Sequence, residues 1–287
     1  AVKLAKRHKF AQLSGFVNGV LRNIARNIDS VQFDTLSIRY SMPQWIVDRF
    51  VAAYGEKKAE KIFRAFHNKS TISIRTNLTR CTPDELRATL EAEGVTVTAV
   101  DELNYAFVIS GFDYLNGLQS FRDGLFYVQD ISSMLVAQTA APKKGDYVID
   151  VCAAPGGKST HIAELLQGSG HVLARDLTDN KVDMIEENID RHGLNNMSAE
   201  VWDATVPDAD SAGKADILIC DLPCSGLGVL GRKKDIRYKM TPESVDELAA
   251  LQRQILDTVH TYVKPNGVLV YSTCTIDEAE NEDNVRW

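Results

Sequence analysis

The 287-residue chain contains no run of about 18 apolar residues, the least that crosses a bilayer as a helix, so no membrane span is expected. It also lacks the ordered basic, apolar and cleavage regions of a secretory signal. Cysteine is sparse: Cys81, Cys152, Cys220, Cys224 and Cys274 are an odd set of five without framework spacing. That pattern excludes a disulfide scaffold and implies reduced thiols in a cytoplasm. Paired metal-ligand spacing is missing as well, so no metal site is expected. Positive charge is not in excess, with 32 Lys and Arg against 39 Asp and Glu and a net charge of −7. Whole-chain charge therefore does not announce a polyanion binder, although it speaks to steering rather than to local contacts. Internal repeats and low-complexity segments are absent too.

What remains is the composition of a folded protein, 44% hydrophobic and 25% charged, long enough for two domains. Basic residues cluster locally at Lys3, Lys6, Arg7, Lys9, Arg22 and Arg26, and again at Arg232, Lys233, Lys234, Arg237 and Lys239. Taken alone, such runs are solvated faces.

Three regions follow from pattern. In "LSGFVNGVLRNIARN", residues Phe16, Val17, Val20, Leu21 and Ile24 share one helical face. The chain begins without methionine and without enough helices to cover that face, so residues 1–42 read as the end and linker of a larger helical domain. Residues 43–128 read as a helical segment followed by a small α+β module. Here "TISIRTN" alternates like a strand, Thr82 caps a helix with Glu85 three residues on and Gly94 stops it, and "VTVTAV" returns to strand. From 129 to 287, strands alternate with amphipathic helices, which implies a parallel sheet covered on both faces and a ligand at its carboxyl edge.

The segment "DVCAAPGGKST", residues 150–160, imitates the end of a phosphate loop, but the glycine required five positions before Gly157 is Cys152. A Cβ there opposes the wrap around phosphate. A nucleoside-binding turn fits better, because Asp176 and Asp203 end the next two strands, where carboxylates accept from ribose and repel phosphates. S-adenosylmethionine, with its ribose, adenine and zwitterionic end, fits such a pocket. Asp221 and Cys224 follow the fourth strand in "LICDLPCSGLGV", and Cys274 follows the fifth in "YSTCTIDEAENE". Adjacent parallel strands would bring both cysteines to one crevice. Cys152 and Cys220 read instead as small buried hydrophobes.

These motifs, with "FYVQDISSMLVA" ahead of them, resemble the RNA cytosine-5 methyltransferases of the NOL1/NOP2/Sun group, and most closely the bacterial Sun/Fmu type that acts on 16S ribosomal RNA. The resemblance implies a Rossmann-like S-adenosylmethionine-dependent methyltransferase domain, preceded by a small RRM-like domain and the remnant of a NusB-like helical domain. It implies that Cys152, Ala153, Ala154, Pro155, Gly156, Gly157, Lys158, Asp176, Asp203 and Asp221 hold S-adenosylmethionine. Cys274 matches the nucleophile and Cys224 the cysteine that helps release product. The sequence departs from the family at Leu222, where a small residue is usual, and at Arg175, where an apolar one is. The strands that would complete the far edge of the sheet are missing, so the natural protein is expected to be longer at both ends.

The chemistry asks for such a set independently. Carbon 5 of cytosine is a poor nucleophile until a thiolate adds at carbon 6. Asp221 would hydrogen-bond the ring as charge develops, and Lys233, Lys234 and Arg237 would hold flanking phosphates of a single-stranded or flipped-out target. The expectation is a cytoplasmic monomer that methylates RNA. The alternatives are a transfer RNA or other RNA substrate, and a non-catalytic RNA-binding assembly module. DNA cytosine enzymes need only the Pro-Cys cysteine, and adenine amino-methylation would want an aromatic residue at Cys224.

Overall fold

In the computed structural model, which describes residues 1–68 and 71–287, the chain divides at Arg64 into units Ala1–Arg64 and Ala65–Trp287. Helical residues as far as 64 belong to the first unit, and the small sheet shares the second with the parallel sheet.

The first unit is helical, with α1 at Val2–Arg7, α2 at Ser14–Asn27, α3 at Leu36–Arg39, α4 at Gln44–Tyr54 and α5 at Glu56–Ala65. Its core is aromatic. Phe50 of α4 and Phe63 of α5 stack with ring centroids 5.5 Å apart, and Tyr40 packs on Phe63 at 6.1 Å. These contacts tie α4 and α5 to the residues before them. The apolar face of α2 is exposed, with Phe16 at 72% and Ile24 at 51%.

The second unit opens with the module β1 (Ile72–Thr76), α6 (Pro83–Ala92), β2 (Thr96–Val100), β3 (Leu103–Ser110), α7 (Gln119–Arg122) and β4 (Phe126–Val128). The strands form an antiparallel sheet of order β2-β3-β1-β4, the RRM-like arrangement. At the start of α6 the Thr82 hydroxyl accepts from the Glu85 amide, and the Glu85 carboxylate accepts from the Thr82 amide at 2.7 Å. That reciprocal cap satisfies two donors the helix would otherwise leave open.

After α8 (Ile131–Ala140) the rhythm changes to β5 (Tyr147–Asp150), α9 (Gly157–Leu165), β6 (His171–Asp176), α10 (Asp179–His192), β7 (Met197–Val201), β8 (Ala215–Asp221), α11 (Ile236–Lys239), α12 (Pro242–Val259), β9 (Val263–Ser272) and α13 (Glu282–Arg286). All five strands are parallel, in the order β7-β6-β5-β8-β9. Side chains alternate across the sheet as strand geometry requires. Ile217 and Ile219 join Ile162 of α9 and Ile185 of α10 on one face, while Leu218 and Cys220 join Ile255 and Val259 of α12 on the other. The result is a Rossmann-like sheet whose strand order reverses between β5 and β8, and a ligand crevice belongs at that reversal. Leu222, the departure noted in the Pro-Cys loop, is 3% exposed and packs with Cys220.

Three arginines are buried, and two of them, Arg175 and Arg75, are paired with carboxylates. Arg175, the charge that looked out of place in β6, sits opposite Glu200 of β7 and pairs with Glu200 and Asp208, each at 2.6 Å. Its guanidinium also lies 5.0 Å from the Trp202 ring. Arg75 of β1, with no exposed surface, binds the Glu164 carboxylate of α9, the Thr160 hydroxyl at 3.1 Å and the Gln129 side-chain oxygen at 2.8 Å. The small sheet is thus fastened to the helix that follows the glycine-rich turn.

Removing one partner of a buried pair strands the other charge in a low-dielectric interior. Glu164→Ala is therefore expected to lower unfolding free energy by about 3–5 kcal/mol. A urea midpoint equal to that of the parent protein would contradict this.

Candidate active site

The carboxyl ends of β5 and β6 build the glycine-rich turn. Gly156 has φ +100°, a conformation that side-chain-bearing residues rarely adopt, and it lets the chain swing directly into α9. Asp176 anchors the turn from the neighbouring strand: its carboxylate accepts from the Ala154 amide at 2.9 Å, the Leu177 amide at 2.8 Å and the Lys181 ammonium at 2.8 Å. From the small sheet, the Tyr127 hydroxyl donates to the Pro155 carbonyl and the Gln129 amide nitrogen to the Gly157 carbonyl, both at 3.1 Å. Gln129 is itself held by Arg75. Asp150, 1% exposed at the end of β5, accepts from the Ser159 hydroxyl, and burial pushes its carboxyl up to about 7.

The turn borders a cavity of about 900 Å³ lined by Ala153, Ala154, Pro155, Gly157, Lys158 and Asp221, with Tyr127, Gln129, Lys233 and Lys234 among its other walls. Six of the predicted cofactor residues thus face one space. Three others serve the turn from behind: Gly156 shapes it, Asp176 ties it down, and Cys152 packs against the hydrophobic layer beneath. Asp203 is set apart. It is exposed and accepts from the amide and hydroxyl of Thr205, at 2.8 and 2.7 Å, closing its own loop. The donor set fits a nucleoside with a zwitterionic end, because carboxylate, ammonium and backbone polar groups meet along one wall.

The two cysteines meet. In-register pairing sets Asp221 of β8 opposite Ser272 of β9, so both loops leave the sheet at the same height. Beyond that point the Cys224 and Cys274 sulfurs are 3.2 Å apart, and the Cys274 amide donates to the Cys224 sulfur at 3.3 Å. Gly228 permits the closeness, since a Cβ there would lie 2.8 Å from the Cys274 carbonyl oxygen. The two thiols are not equivalent. Cys274 is lowered to about 7, chiefly because the Cys224 thiol donates to its thiolate; burial and Asp221 oppose this, and Lys233 and Lys158 assist it. Cys224 is raised, first by that same hydrogen bond and then by burial. Asp221 accepts from the Ser272 hydroxyl at 2.7 Å and pairs with Lys158.

Among the predicted phosphate contacts, Lys233 and Lys234 line the cavity. Arg237 does not serve there. It is 5% exposed, and its guanidinium donates to the Leu230 carbonyl at 3.2 Å, because the single turn of α11 folds it back under the loop. Sequence reasoning missed Asp150, Tyr127, Gln129 and Arg75. Asp150 carried a signal, as a strand-final acid beside the turn, and Tyr127 and Gln129 stand in the motif "FYVQDISSMLVA"; Arg75 carried none, since its partners are remote in sequence. Among the described residues no three His, Cys, Asp or Glu cluster as a metal site, and no helix is long and apolar enough to cross a membrane.

A thiolate reacts with iodoacetamide and a thiol does not, so Cys274 alkylation followed by peptide mapping should rise through a midpoint near 7. Cys224→Ala deletes the donor that lowers it most, so the midpoint should move up toward the ordinary value of about 8.5. A midpoint unchanged in Cys224→Ala would refute this account of the pair.

Comparison with known proteins agrees with this geometry. Residues 137–287 match the family model described as 16S rRNA methyltransferase RsmB/F, and residues 42–112 match the ferredoxin-like domain of RsmF/B-like methyltransferases. The chain is 39% identical over 291 residues to a probable ribosomal RNA small subunit methyltransferase B from Bacillus subtilis, covering 99% of this chain and 65% of that protein. It therefore spans a little under two thirds of that relative. Among solved structures, PH0851 is 28% identical with a TM-score of 0.86, over 100% of this chain and 65% of its own. A methyltransferase homologue from Pyrococcus horikoshii is 27% identical with a TM-score of 0.74, over 88% of this chain and 79% of its own. A chain whose parallel sheet, glycine-rich turn and paired cysteine loops lie within the matched region belongs to the 16S rRNA methyltransferase RsmB/F family.

Proposed function

We propose that this chain is the catalytic part of an S-adenosylmethionine-dependent enzyme that methylates carbon 5 of a cytosine in RNA, with 16S ribosomal RNA as substrate. The observation that carries the reading is the unequal thiol pair: two sulfurs 3.2 Å apart, one lowered to about 7 and the other raised. A single buried cysteine would need no such partner.

In this reading Cys274 attacks as thiolate. Its sulfur bonds to carbon 6, and the electrons of the 5,6 double bond make carbon 5 nucleophilic. S-adenosylmethionine, held along 153–158 and beside Asp221, supplies an electrophilic methyl group. The Asp221 carboxylate, with the Lys158 ammonium beside it, offers an acceptor to the exocyclic amino group and a donor to the charge developing on N3. After transfer, carbon 5 loses its proton, the carbon 6–sulfur bond breaks, and the double bond returns.

The geometry supports a timed role for Cys224. The largest cause of its raised pKa is the bond it shares with Cys274. Once Cys274 is tied up as a thioether that cause is gone, so Cys224 ionises more readily: it gives its thiol proton to solvent, and the resulting thiolate takes the carbon 5 proton as the carbon 6–sulfur bond breaks and Cys274 leaves as thiolate. Lys233 and Lys234 would bind flanking phosphates, a sequence-independent contact that positions the strand. A stacked cytosine exposes neither reacting carbon to such a site, so the target base is single-stranded or flipped out.

Two experiments test this. With labelled cofactor and RNA, Cys274→Ala should give neither methyl transfer nor covalent complex, whereas Cys224→Ala should turn over poorly and accumulate RNA bound through Cys274; the reverse pattern would sink the assignment. Calorimetry with S-adenosylhomocysteine should show binding weakened at least tenfold, about 1.4 kcal/mol, in Asp176→Ala. Equal affinity in the variant would remove Asp176 from the cofactor site.

A further inference from the structure

We propose that Glu280 is a positioning residue that sets the spacing of the two thiols, by pinning Ser225, the neighbour of Cys224, to the loop that carries Cys274. The inference rests on the reading of Cys224 and Cys274 as a cooperating pair.

Glu280 lies between β9 and α13 and has no exposed surface. One carboxylate oxygen accepts from the Ser225 amide at 2.9 Å and from the Gln252 side-chain nitrogen at 3.0 Å; the other accepts from the Ser225 hydroxyl. The Glu280 carbonyl accepts from the Tyr271 hydroxyl, so both ends of the residue are held. A buried carboxylate without such donors would be expelled or neutralised, and here three donors converge on it.

Gln252 of α12 completes the grip. Its side-chain nitrogen also donates to the Pro223 carbonyl at 2.8 Å. Cys224 is therefore clamped on both sides, at Pro223 by Gln252 and at Ser225 by Glu280. On the partner loop the residue after Cys274 joins in, for the Ser225 hydroxyl lies 2.9 Å from that of Thr275. The residues following the two cysteines are thus bonded to each other, and the same carboxylate holds the first of them. A sulfur–sulfur hydrogen bond is weak and soft, so by itself it would not keep two loops in register. Glu280 supplies the stiffness.

The groups acting most strongly on Cys274 are Cys224, Asp221, Lys233 and Lys158. Glu280 is not one of them, and Ser225→Ala leaves the Glu280 charge in place, so a change shared by both variants reports spacing rather than lost charge. Removing it should let Cys224 drift and weaken its donation to the Cys274 thiolate.

The test is peptide-mapped iodoacetamide alkylation of Cys274 across pH, in the full chain without RNA or cofactor, for the parent, Glu280→Gln and Ser225→Ala. In both variants the Cys274 midpoint should rise and alkylation at neutral pH should slow at least threefold, with the melting temperature within a few degrees of the parent. If Glu280→Gln does not fold, Ser225→Ala carries the test, because it deletes only a hydroxyl. A folded variant that keeps the parent midpoint overturns the proposal, and so does a parent whose Cys274 titrates as an ordinary thiol. Because no methyl transfer is read, failure of the parent to methylate RNA would refute the proposed reaction and leave this inference standing on its own measurement.

Discussion

In-register parallel pairing of β8 and β9 decides where chemistry can occur in this chain. The strands match residue for residue from Ile217 opposite Val268 to Asp221 opposite Ser272, and pairing continues past the strand end as the Leu222 amide donates to the Ser272 carbonyl at 3.2 Å. A slip of one residue would reverse every side chain and send Leu218 and Cys220 to the wrong layer. With the register set, two loops start at one height and both must turn back over the same edge. The Gly228 amide then donates to the Cys274 carbonyl at 3.1 Å, joining the loops beyond the sheet. The sulfur pair and the Asp221 carboxylate inherit their positions from that ladder.

Two chemically identical side chains acquire different acidities there through their surroundings. Cys274 is exposed and lies near Lys158 and Lys233, so negative charge is better tolerated on its sulfur. Cys224 is more buried and has a thiolate beside it, so it keeps its proton. One shared hydrogen bond lowers one thiol and raises the other, which is the expected behaviour of a strongly interacting pair. The difference in acidity therefore needs no difference in residue type, only the direction of one shared hydrogen bond, set with the help of exposure and of Lys233 and Lys158.

Much of this was legible in the chain itself, for reasons that differ by element. Thr82 and Glu85 announce a helix start because the capping box is local, and the run from "YVIDV" to "GVLVYS" announces a parallel sheet because its period switches between strand and helix. The cysteine pair was legible because each follows an apolar strand. Partnerships made by folding were not. Arg75 and Glu164 are 89 residues apart, and nothing near either one hints at the other. Arg175 looked like an anomaly until β7 brought Glu200 opposite it. Arg237 sat in a basic run with Lys233 and Lys234, and only the turn of α11 separates the buried charge from the ones lining the cavity. Asp203 resembled Asp176 as a strand-end acid, yet a Thr two residues on claims its carboxylate.

The buried contacts of Arg75 have a consequence for how the small sheet and the parallel sheet work together. An apolar seam of the same size would hold them as firmly, and replacing buried ion pairs by hydrophobic residues is often stabilising. What an apolar seam lacks is direction. Arg75 binds Glu164 and Thr160 on the helix that begins at the glycine-rich turn, and through Gln129 it reaches the Gly157 carbonyl at the turn itself. Each of those bonds tolerates only a few tenths of an ångström before its angle or length fails. The small sheet is consequently keyed to one placement against α9, with Tyr127 and Gln129 held at the wall of the cavity.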